Sequence, residues 1–143
     1  MRVMQGPFHM AFRQFGDRMR VQGRPLVELE TVGAKSGLRR QAVVGSFPEI
    51  ATAVPSSWVV VASNAGSARH PAWFLNLAKN PEQVWITTGK RRIKVRPETI
   101  EGPERDRAWQ EVTSVAPGYG RYLEVTDRAI PIVRLRPEPK TAV

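Results

Sequence analysis

The sequence of 143 residues contains no cysteine and only two histidines, which narrows the chemistry that it can perform. Without cysteine there are no disulfides, no thiolate metal ligands and no thiol nucleophile. His9 lies near the start of the chain and His70 is the candidate for an interior histidine, so no cluster has the ligand spacing of a zinc or haem site. We therefore expect no metal, and a chain that needs no oxidising compartment fits a cytoplasmic location.

The sequence also lacks an uninterrupted apolar run of the kind that crosses a bilayer or forms a secretory signal. Apolar side chains at positions 8, 12, 15 and 19 are interspersed with arginines, and this spacing predicts an amphipathic helical segment within residues 1–24. Two interpretations remain open. The helix caps one end of the folded domain, or it lies on a membrane surface as a peripheral anchor on the cytoplasmic face.

Acidic side chains are outnumbered by basic ones. The chain has 13 Asp and Glu and 22 Lys and Arg, which gives a formal net charge of +9. Such an excess favours an anionic partner. The basic residues are spread over the N-terminal segment, residues 35–40, residues 90–94 and the tail, and are not gathered on one helix. This distribution argues against nucleic acid and leaves a membrane surface or an anionic cofactor as the partner.

Short strand patterns occupy much of the chain. They cover residues 25–32, 41–47, 58–61, 83–88, 91–96 and 130–135, and the pair at 83–96 has a hairpin turn at Gly89 and Lys90. Helical spacing covers residues 73–79 and 102–115. Residues 48–57 contain two prolines and predict a longer connection, and residues 137–143 predict a flexible tail. Together these patterns predict one α+β domain over residues 25–136.

A glycine turn with basic flanks separates the first two strands. Residues 31–40 read TVGAKSGLRR, in which two glycines permit positive φ, so that backbone N–H groups can turn toward one point. Lys35 and Arg40 supply positive charge there, and Ser36 supplies a hydroxyl. The residue order is not that of a Walker phosphate loop. The pattern fits either an oxyanion-binding turn or an ordinary basic hairpin.

Residues 58–81 join a strand, a turn of small residues and a short helix, and read WVVVASNAGSARHPAWFLNLAKNP. The apolar run at 58–61 predicts a buried strand, with Trp58 in the core. The small residues at 63–67 let the backbone approach a flat ligand closely. Pro71 is placed to open a helix, which Asn80 and Pro81 end. The residue types alone fit either a ligand shelf or an ordinary β-turn-α connection.

Three motifs, in this order along the chain, resemble one known family. Residues 31–40 are similar to its Gly-x-(Lys/Arg)-Ser-Gly-x-x-Arg segment, and residues 61–81 to its VASNAG, RHPAW and NLAKNP strings. Residues 119–131, with two tyrosines three positions apart followed by TDR-x-IP, resemble its C-terminal end. The family is that of the deazaflavin-dependent nitroreductases, which bind coenzyme F420. The resemblance covers residues 26–135 and implies a mainly antiparallel split β-barrel with a few helices, of the FMN-binding split-barrel-like class.

The resemblance also implies roles for individual residues. The side chains of Lys35, Ser36 and Arg40 contact the phosphate or acidic tail of the coenzyme, and Arg39 stands where proline is common in relatives. Small residues at 62–66 form a wall for the deazaflavin rings, and the following helix braces it. His70 either reaches the polar edge of the ligand or is structural, and the two tyrosines either close over the substrate side or fasten a loop. The implied cofactor contacts are Lys35, Ser36, Gly37, Arg40, Ala62, Ser63, Asn64, Ala65, Gly66, Arg69, Pro71, Trp73 and Asn76, and the candidate catalytic donors are Tyr119, Tyr122 and Ser63.

The function implied by the resemblance is that of an F420-dependent oxidoreductase. A hydride passes from the reduced deazaflavin to a small organic acceptor such as a quinone, an enone or a nitro compound. This chemistry needs no protein nucleophile, in keeping with a chain without cysteine. The alternative is a protein that binds or carries F420 or FMN without catalysis. Related barrels often pair, so a homodimer is an open alternative to a monomer.

Overall fold

The computed structural model describes residues 20–21, 24–50, 55–64, 68–121 and 128–139. The strands in these ranges are β1 (Arg20–Val21), β2 (Arg24–Val32), β3 (Arg39–Gly45), β4 (Phe47–Ile50), β5 (Pro55–Val61), β6 (Trp85–Thr88), β7 (Arg91–Thr99) and β8 (Ile132–Pro137). The helices are α1 (Ala72–Lys79), α2 (Gly102–Val115) and the short α3 (Gly118–Arg121). The amphipathic helix expected around residues 8–19 lies outside the described residues. No helix in the described ranges is long and apolar enough to cross a membrane.

The strands form one branched antiparallel sheet. Its order is β1-β2-β6-β7-β8-β5-β4, and β3 pairs with β2. β2 therefore has three partners, because its residues 24–25 pair with β1, residues 26–32 with β3 and residues 28–30 with β6. The α+β class and the mainly antiparallel sheet that the sequence predicted are confirmed. The branch places the turn between β2 and β3 beside α1, where the pocket described below opens.

The central strands β5 and β8 are buried on both faces, which accounts for the unbroken apolar run at residues 58–61. Trp58 and Val60 belong to one core cluster, together with side chains of β2, β6 and α1. Val59 and Val61 belong to a second cluster, to which α2 and α3 contribute. Because water reaches neither face of β5, both sets of alternating side chains are apolar. Trp58 is thus a core residue, as predicted.

The predicted connection over residues 48–57 is wrong at both of its ends. Residues 47–50 form β4 and residues 55–61 form β5, and Pro48 pairs in register with Trp58. Pro48 is tolerated because β4 is an edge strand, where one side of the backbone needs no ladder hydrogen bond.

The predicted tail begins too early by at least one residue. Pro137, expected in the tail, is the last residue of β8, and the next residue, Glu138, forms ion pairs with Lys94 and Arg96.

Arg134 on β8 joins four elements of the fold through three carboxylates. Its Nε and Nη2 donate to the two carboxylate oxygens of Glu49 on β4, at 2.7 and 3.1 Å. Its Nη1 donates to Glu98 on β7 at 3.1 Å and to Glu104 on α2 at 3.3 Å. The guanidinium side chain is only 12% exposed. The hydrogen bond from Arg134 is the largest cause that lowers the pKa of Glu49 below its ordinary value of 4.5.

This ion pair predicts a specific sensitivity to acid. Because the pKa of Glu49 is lower in the folded chain than in the unfolded chain, its stabilisation is complete above pH 4.5 and is lost as the pH falls through the folded value. Glu49→Gln removes this contribution, so the free energy of unfolding of the variant falls less steeply on acidification than that of the natural protein. Urea unfolding between about pH 6 and pH 3 measures the difference.

The control is Glu82→Gln, which removes an exposed carboxylate that forms no ion pair among the described residues. The acid dependence of its unfolding should match that of the natural protein. Equal acid dependence in all three proteins would contradict the assignment to Glu49.

Candidate functional site

A cavity of about 580 Å³ lies between the turn that joins β2 to β3 and the first two turns of α1. We call it the loop–helix pocket. One side is polar and basic, while much of the other is an apolar wall that includes Leu75, whose side chain is exposed. The pocket is lined by Thr31, Gly33, Ala34, Lys35, Ser36, Arg40, Gln41, Ala42, Ala72, Trp73, Leu75 and Asn76. It therefore joins two of the three motifs that the sequence singled out.

The turn between β2 and β3 depends on both of its glycines. Gly37 has a φ of 70°, in the left-handed region that glycine adopts without steric cost. At Gly33 a Cβ would lie 2.4 Å from the Oγ of Ser36, so a larger residue there would displace the serine hydroxyl. The turn is closed by hydrogen bonds from Gly33 N–H to the Leu38 carbonyl at 2.7 Å and from Gly37 N–H to the Gly33 carbonyl at 2.9 Å. The result places residues 34–36 at the mouth of the pocket.

Most of the N–H groups that could bind an anion in this turn donate within the protein instead. Besides those of the two glycines, Ala34 N–H donates to Asn76 Oδ1 at 2.9 Å and Leu38 N–H donates to Ser36 Oγ at 3.1 Å. An oxyanion-binding turn was one of two interpretations of the sequence, and these four backbone donors do not contribute to one because each has a nearby protein acceptor. An anion at this turn would be bound mainly by side chains.

Two asparagines of α1 fasten the helix to the end of β2. The side chain of Asn76 is buried and accepts from Ala34 N–H while its Nδ2 donates to Thr31 Oγ1 at 3.2 Å. One helical turn later, Asn80 Nδ2 donates to the Val32 carbonyl at 3.2 Å. Both ends of the Asn76 amide are thus engaged inside the protein. Asn76 holds the turn between β2 and β3 against the helix, whereas its expected role in bracing residues 62–66 stays a prediction.

The two adjacent arginines at the start of β3 point to opposite faces of the sheet, because side chains alternate along a strand. Arg39 turns away from the pocket and pairs with the buried Glu30 at 2.5 Å, and Glu30 also binds Arg92 at 2.6 Å. Arg40 lines the pocket, and its Nη2 lies 3.4 Å from Ser36 Oγ. Among the described residues, neither Arg40 nor Lys35 forms an ion pair with a carboxylate. The pocket therefore has two cations that no acidic side chain in the described ranges neutralises.

The loop after β5 leads from the sheet to α1. Ala62 N–H donates to the Pro131 carbonyl at 2.9 Å, and Ser63 is buried. Asn64 has a φ of 47°, and its Nδ2 donates to the Arg69 carbonyl at 3.1 Å. Pro71 precedes α1 as its N-cap. Of the predicted wall, residues 62–64, Arg69 and Pro71 lie on this loop and do not line the loop–helix pocket, whereas Ala65 and Gly66 lie outside the described residues.

No group of three or more potential metal ligands occurs within the described ranges.

The sequence model of the F420H(2)-dependent quinone reductase family matches residues 8–137. The chain belongs to this family. An F420H(2)-dependent quinone reductase of Mycobacterium tuberculosis is 32% identical over 114 residues, which make up 78% of this chain and 72% of that relative. Another curated relative from the same organism is matched over 66% of its length. The predicted oxidoreductase class and the predicted cofactor, coenzyme F420, are confirmed.

Solved structures agree with the family assignment. A structure of an F420-H2 dependent reductase is 32% identical, with a TM-score of 0.65, and the match covers 79% of this chain and 95% of that one. A second structure, described as a domain-swapped dimer, is 30% identical with a TM-score of 0.67, and the match covers 90% of this chain and 93% of that one. The split β-barrel that the sequence predicted is thereby confirmed.

The loop–helix pocket of this family member suits coenzyme F420 chemically. The coenzyme joins a flat deazaflavin ring system to a phosphodiester and an acidic tail. The pocket offers the Lys35 ammonium, the Arg40 guanidinium and the Ser36 hydroxyl on one side, and apolar surface from Ala72 and Leu75 on the other. Charged donors of this kind bind phosphate and carboxylate oxygens strongly.

Of the two tyrosines that the resemblance placed over the substrate, Tyr119 does not line this pocket. Tyr119 is buried, and its ring packs edge-on against Phe47 at a centroid distance of 5.6 Å in the second core cluster. This position corresponds to the alternative in which the tyrosine fastens a loop. Tyr122 lies outside the described residues, so its role as a donor stays a prediction.

Several residues of the site were not identified from the sequence. Ala42 follows Arg40 on the same face of β3, and Leu75 continues the exposed side of α1, so strand and helix periodicity could have indicated both. Arg128 contacts the loop after β5 through Ser63 and His70, which are 65 and 58 positions away. No local pattern in the sequence indicates that contact.

Proposed function

We propose that the loop–helix pocket binds the anionic part of coenzyme F420 and that the protein catalyses reduction of a quinone. Lys35, Ser36 and Arg40 bind the phosphate or acidic tail, with Gly37 shaping the turn that carries them. When bound, the reduced coenzyme supplies the hydride that the quinone accepts. The residues of the chain bind and orient the two reactants and keep water from the reacting face.

One observation carries this proposal. Lys35 and Arg40 flank a hydroxyl at the mouth of a pocket, and neither has a carboxylate partner among the described residues. Elsewhere Arg39, Arg92 and Arg134 are held by glutamates. Two cations kept beside an apolar wall, in a chain with a net charge of +9, match a ligand that is both planar and multiply anionic.

The deazaflavin rings are proposed to lie against the loop after β5. Its start is anchored to the sheet by Ala62, and the buried Ser63 and the left-handed Asn64 keep the backbone close to the sheet edge. Arg69, Pro71 and Trp73 complete this side, together with Ala65 and Gly66. Ser63, Tyr119 and Tyr122 are the proposed donors to the acceptor. Turnover that survives Ser63→Ala, Tyr119→Phe and Tyr122→Phe would remove each of them from that role.

The test is a fluorescence titration of the full chain with coenzyme F420 beside one with FMN, followed by oxidation of the reduced coenzyme in the presence of menadione. We expect binding of F420 in preference to FMN, and a rise of the deazaflavin absorbance at the rate of quinone reduction. Tight binding of F420 without turnover would identify a carrier, and preference for FMN would overturn the cofactor assignment at this pocket.

Membrane contact and self-association complete the proposal. The basic and apolar pattern of residues 8–19 supports peripheral contact with an anionic cytoplasmic membrane surface. The domain-swapped dimer among the related structures supports a homodimer. Sedimentation velocity of the full chain, with and without anionic vesicles, measures both. A variant lacking residues 1–20 should stay out of the vesicle fraction. If the full chain also stays out of it, the membrane contact is contradicted, and if the full chain sediments as a monomer, the homodimer is contradicted.

A further inference from the structure

The guanidinium of Arg128 bridges the two ends of the loop that follows β5. Its Nη2 donates to the Ser63 carbonyl at 2.7 Å, and its Nη1 lies 3.1 Å from His70 Nδ1. Ser63 leaves the sheet next to the anchored Ala62, and His70 immediately precedes Pro71, the N-cap of α1. A planar fork with fixed donors suits this task, because it can bind two acceptors at a set spacing. One side chain therefore spans the entry and the exit of the loop.

A second tie lies one residue further into the same loop. Asn64 adopts a left-handed backbone with a φ of 47°, and its Nδ2 donates to the Arg69 carbonyl at 3.1 Å. The two ties are nested, since Ser63 and His70 enclose Asn64 and Arg69 in the sequence. If the outer tie is lost, this exposed hydrogen bond between Asn64 and Arg69 still joins the two sides of the loop.

The contact with Arg128 also indicates the roles of the two ring nitrogens of His70. A guanidinium only donates hydrogen bonds, so Nδ1 is the acceptor in this contact, which selects the tautomer with its proton on Nε2. The same ring packs against Phe74 of α1, with the ring centroids 5.0 Å apart. His70 thus couples Arg128 to the helix that supplies Trp73 and Asn76 to the loop–helix pocket.

We propose that Arg128 and His70 form a positioning pair that holds the loop after β5 at a fixed distance and orientation from α1. The effect of this pair on coenzyme binding rests on the proposed function. There the loop is the wall for the deazaflavin rings, and α1 borders the pocket for the anionic part of the coenzyme. Arg128 acts through the Ser63 carbonyl and the His70 ring. Its removal separates the two halves of the coenzyme site while leaving the cations of the pocket in place.

The first test uses the full chain without coenzyme. Long-range ¹⁵N–¹H correlation spectra report which imidazole nitrogen carries the proton, and a His9→Gln variant assigns the signals because the chain has only two histidines. We expect an unprotonated Nδ1 and a protonated Nε2 on His70 at neutral pH. In Arg128→Met, the tautomers should mix and the amides of Asn64 and His70 should exchange faster. A proton on Nδ1 in the natural protein, or unchanged spectra and exchange in the variant, would overturn the pairing.

The second test measures the coenzyme. Arg128→Met should raise the Kd and the KM for F420 about tenfold, the equivalent of about 1.4 kcal/mol, and change kcat less than about twofold. Arg128→Lys, which keeps one charged donor, should recover part of the affinity. The control is Arg134→Gln, which removes another arginine that ties elements together and should lower stability without changing the Kd. Equal losses of affinity in Arg128→Met and Arg134→Gln would reduce Arg128 to a general structural role and overturn the proposal.

The two tests separate the two hypotheses. A natural protein that does not bind F420 would refute the proposed function, while the spectra of the coenzyme-free protein would still decide whether Arg128 and His70 pair. Binding of F420 with no effect of Arg128→Met would refute the positioning role and leave the proposed function intact.

Discussion

Replacing Arg40 by glutamine is expected to weaken the binding of coenzyme F420 by about tenfold or more, and adding Lys35→Gln by about a hundredfold in total. In the proposed function each side chain contributes a charge-assisted hydrogen bond to an anionic oxygen, worth about 1.5–3 kcal/mol, and a factor of ten in Kd corresponds to about 1.4 kcal/mol. Because the interaction is ionic and partly exposed, the affinity of the natural protein should also fall with salt, and that of the double variant should fall less. Fluorescence titration at two ionic strengths measures both effects.

The neighbouring Arg39 provides a matched control. Arg39→Gln changes the net charge by the same amount, one residue away, but its side chain lies on the opposite face of β3 and binds Glu30. Glu30 keeps Arg92 as a partner, so stability should change little. The affinity for F420 should stay within about twofold of the natural value, since the local contact is unaffected. Equal weakening by Arg39→Gln and Arg40→Gln would show that the overall charge governs binding, against a specific site.

The strand pattern alone does not predict which of these two arginines faces the loop–helix pocket. Alternation along β3 places Arg39 and Arg40 on opposite faces, but the sequence does not say which face borders α1. The resemblance to the family's motif selected Arg40, and the pocket lies on that side. The partner of Arg39 is Glu30 of β2, nine residues earlier in the sequence. Glu30 also binds Arg92, which lies 62 residues after it. Such a shared carboxylate follows from sheet order, which local patterns do not fix.

Local propensity failed where sheet position mattered more. Pro48 and Pro55 predicted a break in the chain, yet Pro48 lies in the edge strand β4 and Pro55 is the first residue of β5. Pro97 likewise lies inside β7, opposite Leu135 of β8. The cost of proline depends on whether its missing N–H would have faced a neighbouring strand, and the sequence does not reveal which strands are edges. The hairpin over residues 85–99 and the helix Gly102–Val115 depend on local signals, and these were predicted within a few residues.

The backbone donors of the glycine turn illustrate a second limit. Two glycines and a serine indicate that N–H groups can turn inward, and this is correct as geometry. Their acceptors are the Asn76 side chain, a carbonyl across the turn and the Ser36 hydroxyl, which become neighbours only after folding. The sequence therefore indicates which N–H groups can turn inward but not which of them stay available to a ligand, because competition between a ligand and internal acceptors depends on tertiary contacts.

The second large effect concerns Asn76. Asn76→Ala removes the acceptor for Ala34 N–H and the donor to Thr31, and we expect a loss of about 2–3 kcal/mol in the free energy of unfolding because a largely buried N–H is left without its partner. The turn that carries Lys35 and Ser36 is then no longer held against α1, so the affinity for F420 should also fall about tenfold or more. Urea unfolding and fluorescence titration of the same variant measure the two losses.

Asn80→Ala separates docking of the helix from positioning of the turn. Asn80 is the same residue type, one helical turn later, and it also binds the end of β2, through the Val32 carbonyl. Its loss should cost about 1 kcal/mol of stability and leave the affinity for F420 within about twofold, because no atom of the turn depends on it. Thr31→Val, which keeps the bond between Asn76 and Ala34, should behave similarly. If Asn80→Ala weakens F420 binding as much as Asn76→Ala, the affinity depends on the placement of the whole helix, and the hydrogen bond to Ala34 has no special role in holding the cations at the pocket.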